Sequence, residues 1–393
     1  MIEWLLRVDP ARPLIYADEG TWTYGQALAQ VEGRIEKSPR LVRPSLTPES
    51  ILDVLAAISG GGATVIGPES SIVDPGNADL VVFTSGTSGD PRGVRLTRRN
   101  LEAAARASSQ HLGHGPDDDW LLAMPLHHVG GLTIVVRQVF SGGSITLLPG
   151  FDVRTVASAM RGRVTMVSVV PTMLRRILDH DSRPYEGMRA VLVGGGPIPD
   201  GLLEEASAAG LPVLPTYGMT ETFGQIATLR PDAPLEHLVH PLPGVDIRVD
   251  DQCRISVRGD QVSPGYVNEP DRSSDWLITS DLGVMHEDGA LRVLGRADNV
   301  IVTGGENVNP ESIEVEIQAH PEVHEAVVVG IPDDEWGMVV GCVFVGDVLV
   351  EELVEWSADK LAGPRRPKRW AKVERLPRLS IEKPDRSAAA EFF

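Results

Sequence analysis

Two short, uninterrupted apolar runs constrain the fold of this chain more than any other feature. Residues 164–170 read Val-Thr-Met-Val-Ser-Val-Val, and residues 189–193 read Arg-Ala-Val-Leu-Val. Neither alternates in polarity, so each suits a strand buried on both faces, as in a sheet covered by helices. Pro171 then opens a helix through Leu174, Ile177 and Leu178, while the second run ends in Gly194-Gly195-Gly196-Pro197. Strands alternating with helices, with ligand-type loops after the strands, predict an α/β architecture whose sites collect at the strands' carboxyl ends.

The richest of these loops follows Val82-Phe83-Thr84 and reads Ser85-Gly86-Thr87-Ser88-Gly89-Asp90-Pro91-Arg92-Gly93-Val94. Glycines let a backbone approach closely, amides and hydroxyls donate hydrogen bonds, and Arg92 adds positive charge, a combination suited to a polyphosphate. The spacing is not that of a Walker A loop, which requires Gly-x-x-x-x-Gly-Lys-Ser/Thr. By composition alone, a plain Gly/Ser turn between two elements is the better account of it.

Elsewhere the periodicities predict further elements. Residues 21–24 form a short strand before a helix carrying Ala27, Leu28 and Val31; residues 51–58 form a helix stopped by Gly60, and 63–66 a strand. Thr97 is the expected N-cap of a helix with Leu101, Ala104, Ala105, Ser108 and Leu112 on one face. The acids Asp117, Asp118 and Asp119 read as a solvated turn. Short antiparallel strands are expected between 245 and 293, punctuated by Gly259 and Gly265-Tyr266, and a small α+β unit after residue 298 with strands near 327–331 and 341–345.

At 393 residues, 42% of them hydrophobic, the chain can bury a large core and build two domains. A net charge of −19 argues against nucleic acid or an anionic membrane as partner, and no apolar run approaches a membrane span. With no secretory pattern at its start, the chain reads as cytoplasmic. Cys253 and Cys342 lie far apart, with no partner spacing for a disulfide framework or zinc. Five lysines stand against 31 arginines, so Arg92 is an ordinary choice of cation here and the retained Lys383 is more informative.

Five motifs in order resemble the adenylate-forming superfamily of acyl-CoA synthetases, adenylation domains and luciferases. They are the loop after Thr84; Tyr217-Gly218-Met219-Thr220-Glu221; Thr279-Ser280-Asp281; Gly295-Arg296-Ala297-Asp298; and Lys383 near the chain's end. Within the superfamily, the compact length, His127-His128-Val129-Gly130-Gly131 and Arg137 resemble the o-succinylbenzoate-CoA ligases of menaquinone synthesis.

The resemblance implies a large layered N-terminal domain, 1–297, and a mobile C-terminal domain, 298–393, on a hinge at Asp298. It implies ATP, Mg²⁺ and CoA as reactants or cofactor. Thr84, Ser85, Gly86, Thr87, Ser88 and Gly89 with Arg92 would hold the phosphates, and Glu221 the metal. Gly194, Gly195 and Gly196 would border adenine and acyl group, Tyr217 and Gly218 the adenine, and Thr220 the α-phosphate. Asp281 and Arg296 would hold the ribose. His127, His128, Met219 and Arg137 would line the acyl pocket, and Gly304 and Gly305 the path of the CoA thiol. Lys383 would serve adenylation. Two departures stand out: Arg92 replaces the usual Lys, and Glu382 replaces a usual Gly.

Several readings remain open at this level. His128 also suits a hydrogen-bonded core histidine, Arg137 a surface cation, and the basic run 365–369 either a solvated loop or a contact for CoA phosphates. Another aryl- or medium-chain acyl-CoA ligase, a stand-alone enzyme loading a carrier protein, and a nucleotide-binding protein with little catalysis are the rival functions. A homodimer is a family-level expectation.

Overall fold

The computed structural model describes residues 1–35, 40–60, 64–66, 75–84, 92–180, 183–379 and 383–393. The sequence's Ser85, Gly86, Thr87, Ser88 and Gly89, and Glu382, lie outside the described residues.

A nine-stranded sheet forms the centre of the large domain. Six of its strands run parallel, in the spatial order Val213–Met219, Ala190–Gly194, Met166–Val169, Asp119–Leu122, Ser144–Leu147 and Pro13–Ala17. Antiparallel strands close each edge: Gly224–Thr228 and His240–Pro241 on one side, Gly20–Thr23 on the other. The apolar runs near 164 and 189 thus become adjacent central strands, as their lack of alternation requires. Helices cover both faces. Val129–Ser141 packs on one face among Trp120, Ile145 and Leu132, and Pro171–His180 on the other among Val167, Val191 and Leu174.

A second sheet contains Arg40–Val42, Thr64–Ile66, Leu80–Thr84, Arg92–Leu96 and Gly265–Tyr266. Gly265-Tyr266 therefore does more than punctuate: it adds a strand beside Val94 and Arg95, far back in sequence. A third sheet holds Val245–Val249, Arg254–Gly259, Leu277–Met285 and Leu291–Arg296, all antiparallel as expected.

Beyond residue 300 the chain builds separate cores. A hairpin of Ile301–Thr303 with Glu306–Val308 and a three-stranded sheet of Val323–Asp333, Gly337–Gly346 and Arg369–Lys372 pack with helices Pro310–Gln318 and Val350–Ala358. Ile313, Ile317, Val328, Cys342 and Phe344 are its buried centre.

Local signals explain the helix starts. Thr97 caps Arg98–Leu112 by accepting from Asn100 N, and the Asn100 side chain accepts in return from Thr97 N. Asn309 caps Pro310–Gln318 in the same sense, with Pro310 at its first position.

The acidic turn requires correction. Asp117 is exposed, but Asp118 is 3% and Asp119 4% exposed. Asp118 accepts from Arg189 Nη1 at 2.6 Å, from Thr165 and from the Gly115 amide; Asp119 begins a central strand and accepts from Ser144 at 2.6 Å. Partners far off in sequence, Arg189, Thr165 and Ser144, convert two acids of an apparently solvated turn into buried, structural ones.

Candidate active site

Three segments end at the carboxyl edge of the parallel sheet and meet there. Asp119–Leu122 leads into Met124 to His128, Ala190–Gly194 into Gly195 and Gly196, and Val213–Met219 into Thr220 and Glu221. Gly195 adopts φ +80°, a conformation glycine reaches without penalty. A Cβ there would lie 3.3 Å from Lys383 Cε and 3.6 Å from its Nζ. The small domain thus delivers Lys383 to the glycine loop of the large one.

Charge around this meeting point is organised. Lys383 is drawn below the ordinary lysine range by burial and then by Arg296, with Asp281 opposing. Asp281 Oδ2 accepts from the Tyr217 hydroxyl at 2.6 Å, while Arg296 lies 3.5 Å from Asp281 Oδ1 and donates to Asp298 at 2.5 Å. Tyr217, Asp281, Arg296 and Asp298 are therefore one connected set, although they come from three separated motifs. His128 caps the helix Val129–Ser141 by position, and its imidazole is pulled down to about 4 by burial, by His127 and by Lys383. It is neutral at pH 7. The two histidine rings stand 4.2 Å apart, with His127 also lowered by burial.

Glu221 and Arg92 are linked through a residue to which the sequence assigns no role. Tyr266 donates its hydroxyl to Glu221 Oε1 at 2.7 Å, and the Arg92 guanidinium sits 3.5 Å from the centroid of the Tyr266 ring. Arg92 also pairs with Glu269 at 2.8 Å. Burial, then Glu221, raise the phenol well above its ordinary value, so it remains a donor. Neither Tyr266 nor Glu269 lies near Glu221 or Arg92 in sequence; only the pairing of Gly265–Tyr266 with Arg92–Leu96 brings them there.

Among the described residues no cluster of three His, Cys, Asp or Glu side chains could hold a metal. That suits Mg²⁺ shared with a nucleotide: the ion keeps water and phosphate oxygens and needs only one or two protein carboxylates. Glu221, half-buried with Oε1 oriented by Tyr266, is a fitting donor.

Arg137 is not a surface cation. It is 4% exposed on the third turn of Val129–Ser141, with its guanidinium 5.4 Å from the Trp120 ring centroid. Its Nη2 lies 3.7 Å from where a Cβ would stand on Gly224, the residue paired with Met219 across the edge hairpin. Its Nε has no partner, and among the described residues no carboxylate pairs with it. Burial alone pulls its pKa down to about 9, which still leaves a cation at neutral pH. An unpaired buried charge costs several kcal/mol unless something compensates it.

Comparison with known proteins places this geometry. A model described as AMP-binding enzyme matches residues 32–267, and one described as AMP-binding enzyme C-terminal domain matches 312–383. The chain belongs to the AMP-binding enzyme family. It is 40% identical over 328 residues to the 2-succinylbenzoate–CoA ligase of Bacillus cereus (strain Q1), covering 78% of this chain and 68% of that one. Its fold is similar to o-succinylbenzoate CoA synthetase from Bacillus subtilis in complex with the acyl-adenylate intermediate, with TM-score 0.86 and 27% identity over 98% of this chain and 97% of that one. The same enzyme in complex with ATP and magnesium ion gives TM-score 0.86 and 28% identity, covering 98% of each chain. An AMP-forming acid-CoA ligase of two domains is thus what the family membership establishes.

Proposed function

We propose that this chain joins o-succinylbenzoate to CoA through an acyl adenylate. The observation that carries the choice of acid is Arg137: a buried cation with no counter-ion among the described residues, beside the Met219–Gly224 pair, fits an acid that brings a second carboxylate. The curated relatives' substrate agrees with it.

In the first step a substrate carboxylate oxygen attacks the α-phosphorus of ATP, forming the acyl–O–P bond as the bond to pyrophosphate breaks. Catalysis is positioning and charge stabilisation. Tyr217 offers its ring to the adenine, Asp281 accepts from ribose hydroxyls, and Arg296 holds Asp281. Thr84 and Arg92 border the phosphate loop, and Lys383 stabilises charge gathering at the α-phosphate. Mg²⁺ on Glu221 would neutralise the triphosphate. His128, neutral, lines the acyl group without adding charge beside the attacking oxygen.

In the second step the CoA sulfur attacks the acyl carbon and AMP leaves. Rotation about Asp298 would withdraw Lys383 and bring the Gly304 turn forward. Gly304 and Gly305 are both at positive φ, and Gly304 lies against Trp336, whose ring carries Lys368 Nζ at 3.9 Å from its centroid. That exposed aromatic and the basic residues 365–369 support a role in meeting the CoA nucleotide.

The test is pyrophosphate release with ATP and Mg²⁺ for o-succinylbenzoate, benzoate and octanoate, with and without CoA. The expected result is strong preference for o-succinylbenzoate and a CoA thioester product. Preference for a monocarboxylate would discard the reading of Arg137, and a product without CoA dependence would favour carrier-protein loading.

A further inference from the structure

Lys383 reaches the active site without a side-chain bond to hold it there. Among the described residues its ammonium makes no hydrogen bond or ion pair. Its aim is therefore set by its backbone, and the backbone on either side is clamped. The Leu379 amide donates to Lys383 O at 2.8 Å and the Asp385 amide to Pro377 O at 2.9 Å, so residues 377–379 and 383–385 are paired as two arms. Each arm carries an arginine directed into the small domain. Arg378 donates to both oxygens of Glu325. Arg386 donates to both oxygens of Glu314, Nη2 to Oε2 at 2.9 Å, and to Val328 O at 2.7 Å.

The Arg386 anchorage is the more consequential. Glu314 is 3% exposed and also accepts from the Val328 amide at 2.7 Å, so the carboxylate joins helix Pro310–Gln318, strand Val323–Asp333 and the arm that carries Lys383 and Arg386. Arg386 also lies 3.4 Å from Glu311 Oε1, which accepts from Asn299 at 2.5 Å. Asn299 directly follows Asp298. A chain of contacts thus runs from the residue next to the expected hinge to the arm bearing Lys383.

We propose that Arg386, held by Glu314, is a positioning residue for adenylation, acting through Lys383. The inference rests on Lys383 serving that half-reaction. A planar fork bonded in parallel to a carboxylate fixes direction as well as distance, which an ammonium cannot reproduce. A displacement on the order of 1 Å at a reacting group can cost about 100-fold in rate.

The experiment compares wild type, Arg386→Lys, Lys383→Ala and the double variant, using the acid that wild type adenylates fastest. Acyl-adenylate formation from acid and ATP is measured separately from thioester formation from supplied acyl adenylate and CoA. Arg386→Lys is expected to lower adenylation roughly 10- to 100-fold while thioester formation stays within about twofold. Acting through Lys383, it should add nothing to Lys383→Ala, so the double variant adenylates no more slowly than that single one. Glu314→Gln should reproduce the split, with melting temperature recorded for each protein. Parallel loss of both half-reactions would reduce Arg386 to a structural role, and further slowing in the double variant would show that it acts elsewhere; either overturns the proposal. Full adenylation by Lys383→Ala would instead remove the role of Lys383, and this proposal with it.

Discussion

The Tyr266 hydroxyl donates to Glu221 Oε1 at 2.7 Å while the face of the same ring carries Arg92. One side chain thus orients both the carboxylate suited to Mg²⁺ and the cation that follows the Gly/Ser-rich stretch after Thr84. Tyr266→Phe keeps the ring and removes the donor. A hydrogen bond to a charged group contributes about 1.5–3 kcal/mol, so the Mg²⁺ concentration for half-maximal adenylation should rise about tenfold or more. Titration of pyrophosphate release with Mg²⁺ checks this; an unchanged midpoint would mean that Glu221 needs no orienting.

Arg137 sets stability against function. Removing a buried, uncompensated charge and filling the space with an apolar chain should stabilise the free protein, so Arg137→Met is expected to melt at higher temperature. The same change should weaken binding of a dicarboxylate by about 2–4 kcal/mol, some 30- to 700-fold in KM, and leave benzoate nearly unaffected. Melting curves and KM for the two acids decide it, and a lower melting temperature would show that Arg137 is compensated in the free protein.

Part of the acid sensitivity should trace to His114. It is 3% exposed, both ring nitrogens lack partners among the described residues, and burial followed by Arg137 lowers its pKa to about 4. The unfolded chain therefore binds its proton near pH 6.5 while the folded one does not, so its contribution is complete above about pH 6.5 and is lost as pH falls towards 4. The loss approaches roughly 3 kcal/mol. His114→Phe should flatten the fall in urea midpoint between those values; an unchanged slope would assign the sensitivity to other groups.

The amino-acid sequence was enough for the parallel core, because strands buried on both faces must be apolar throughout, and for the helix starts, because Thr97 and Asn309 bond their own neighbours. It was enough for the order of the motifs at Thr84, Tyr217, Asp281, Arg296 and Lys383, since a Gly-rich turn or a short polar motif is a local property. It misread Asp118 and Asp119, whose partners Arg189, Thr165 and Ser144 lie 25 or more residues away.

Tertiary structure alone decided the rest. Only the sheet order brings Tyr266 to Glu221, only the packing of its helix buries Arg137 beside Trp120 with no counter-ion among the described residues, and only the docking of the small domain sets Lys383 at Gly195. Periodicity and caps are written in neighbouring residues. Charge compensation is not, because it depends on which distant groups folding brings within a few ångströms.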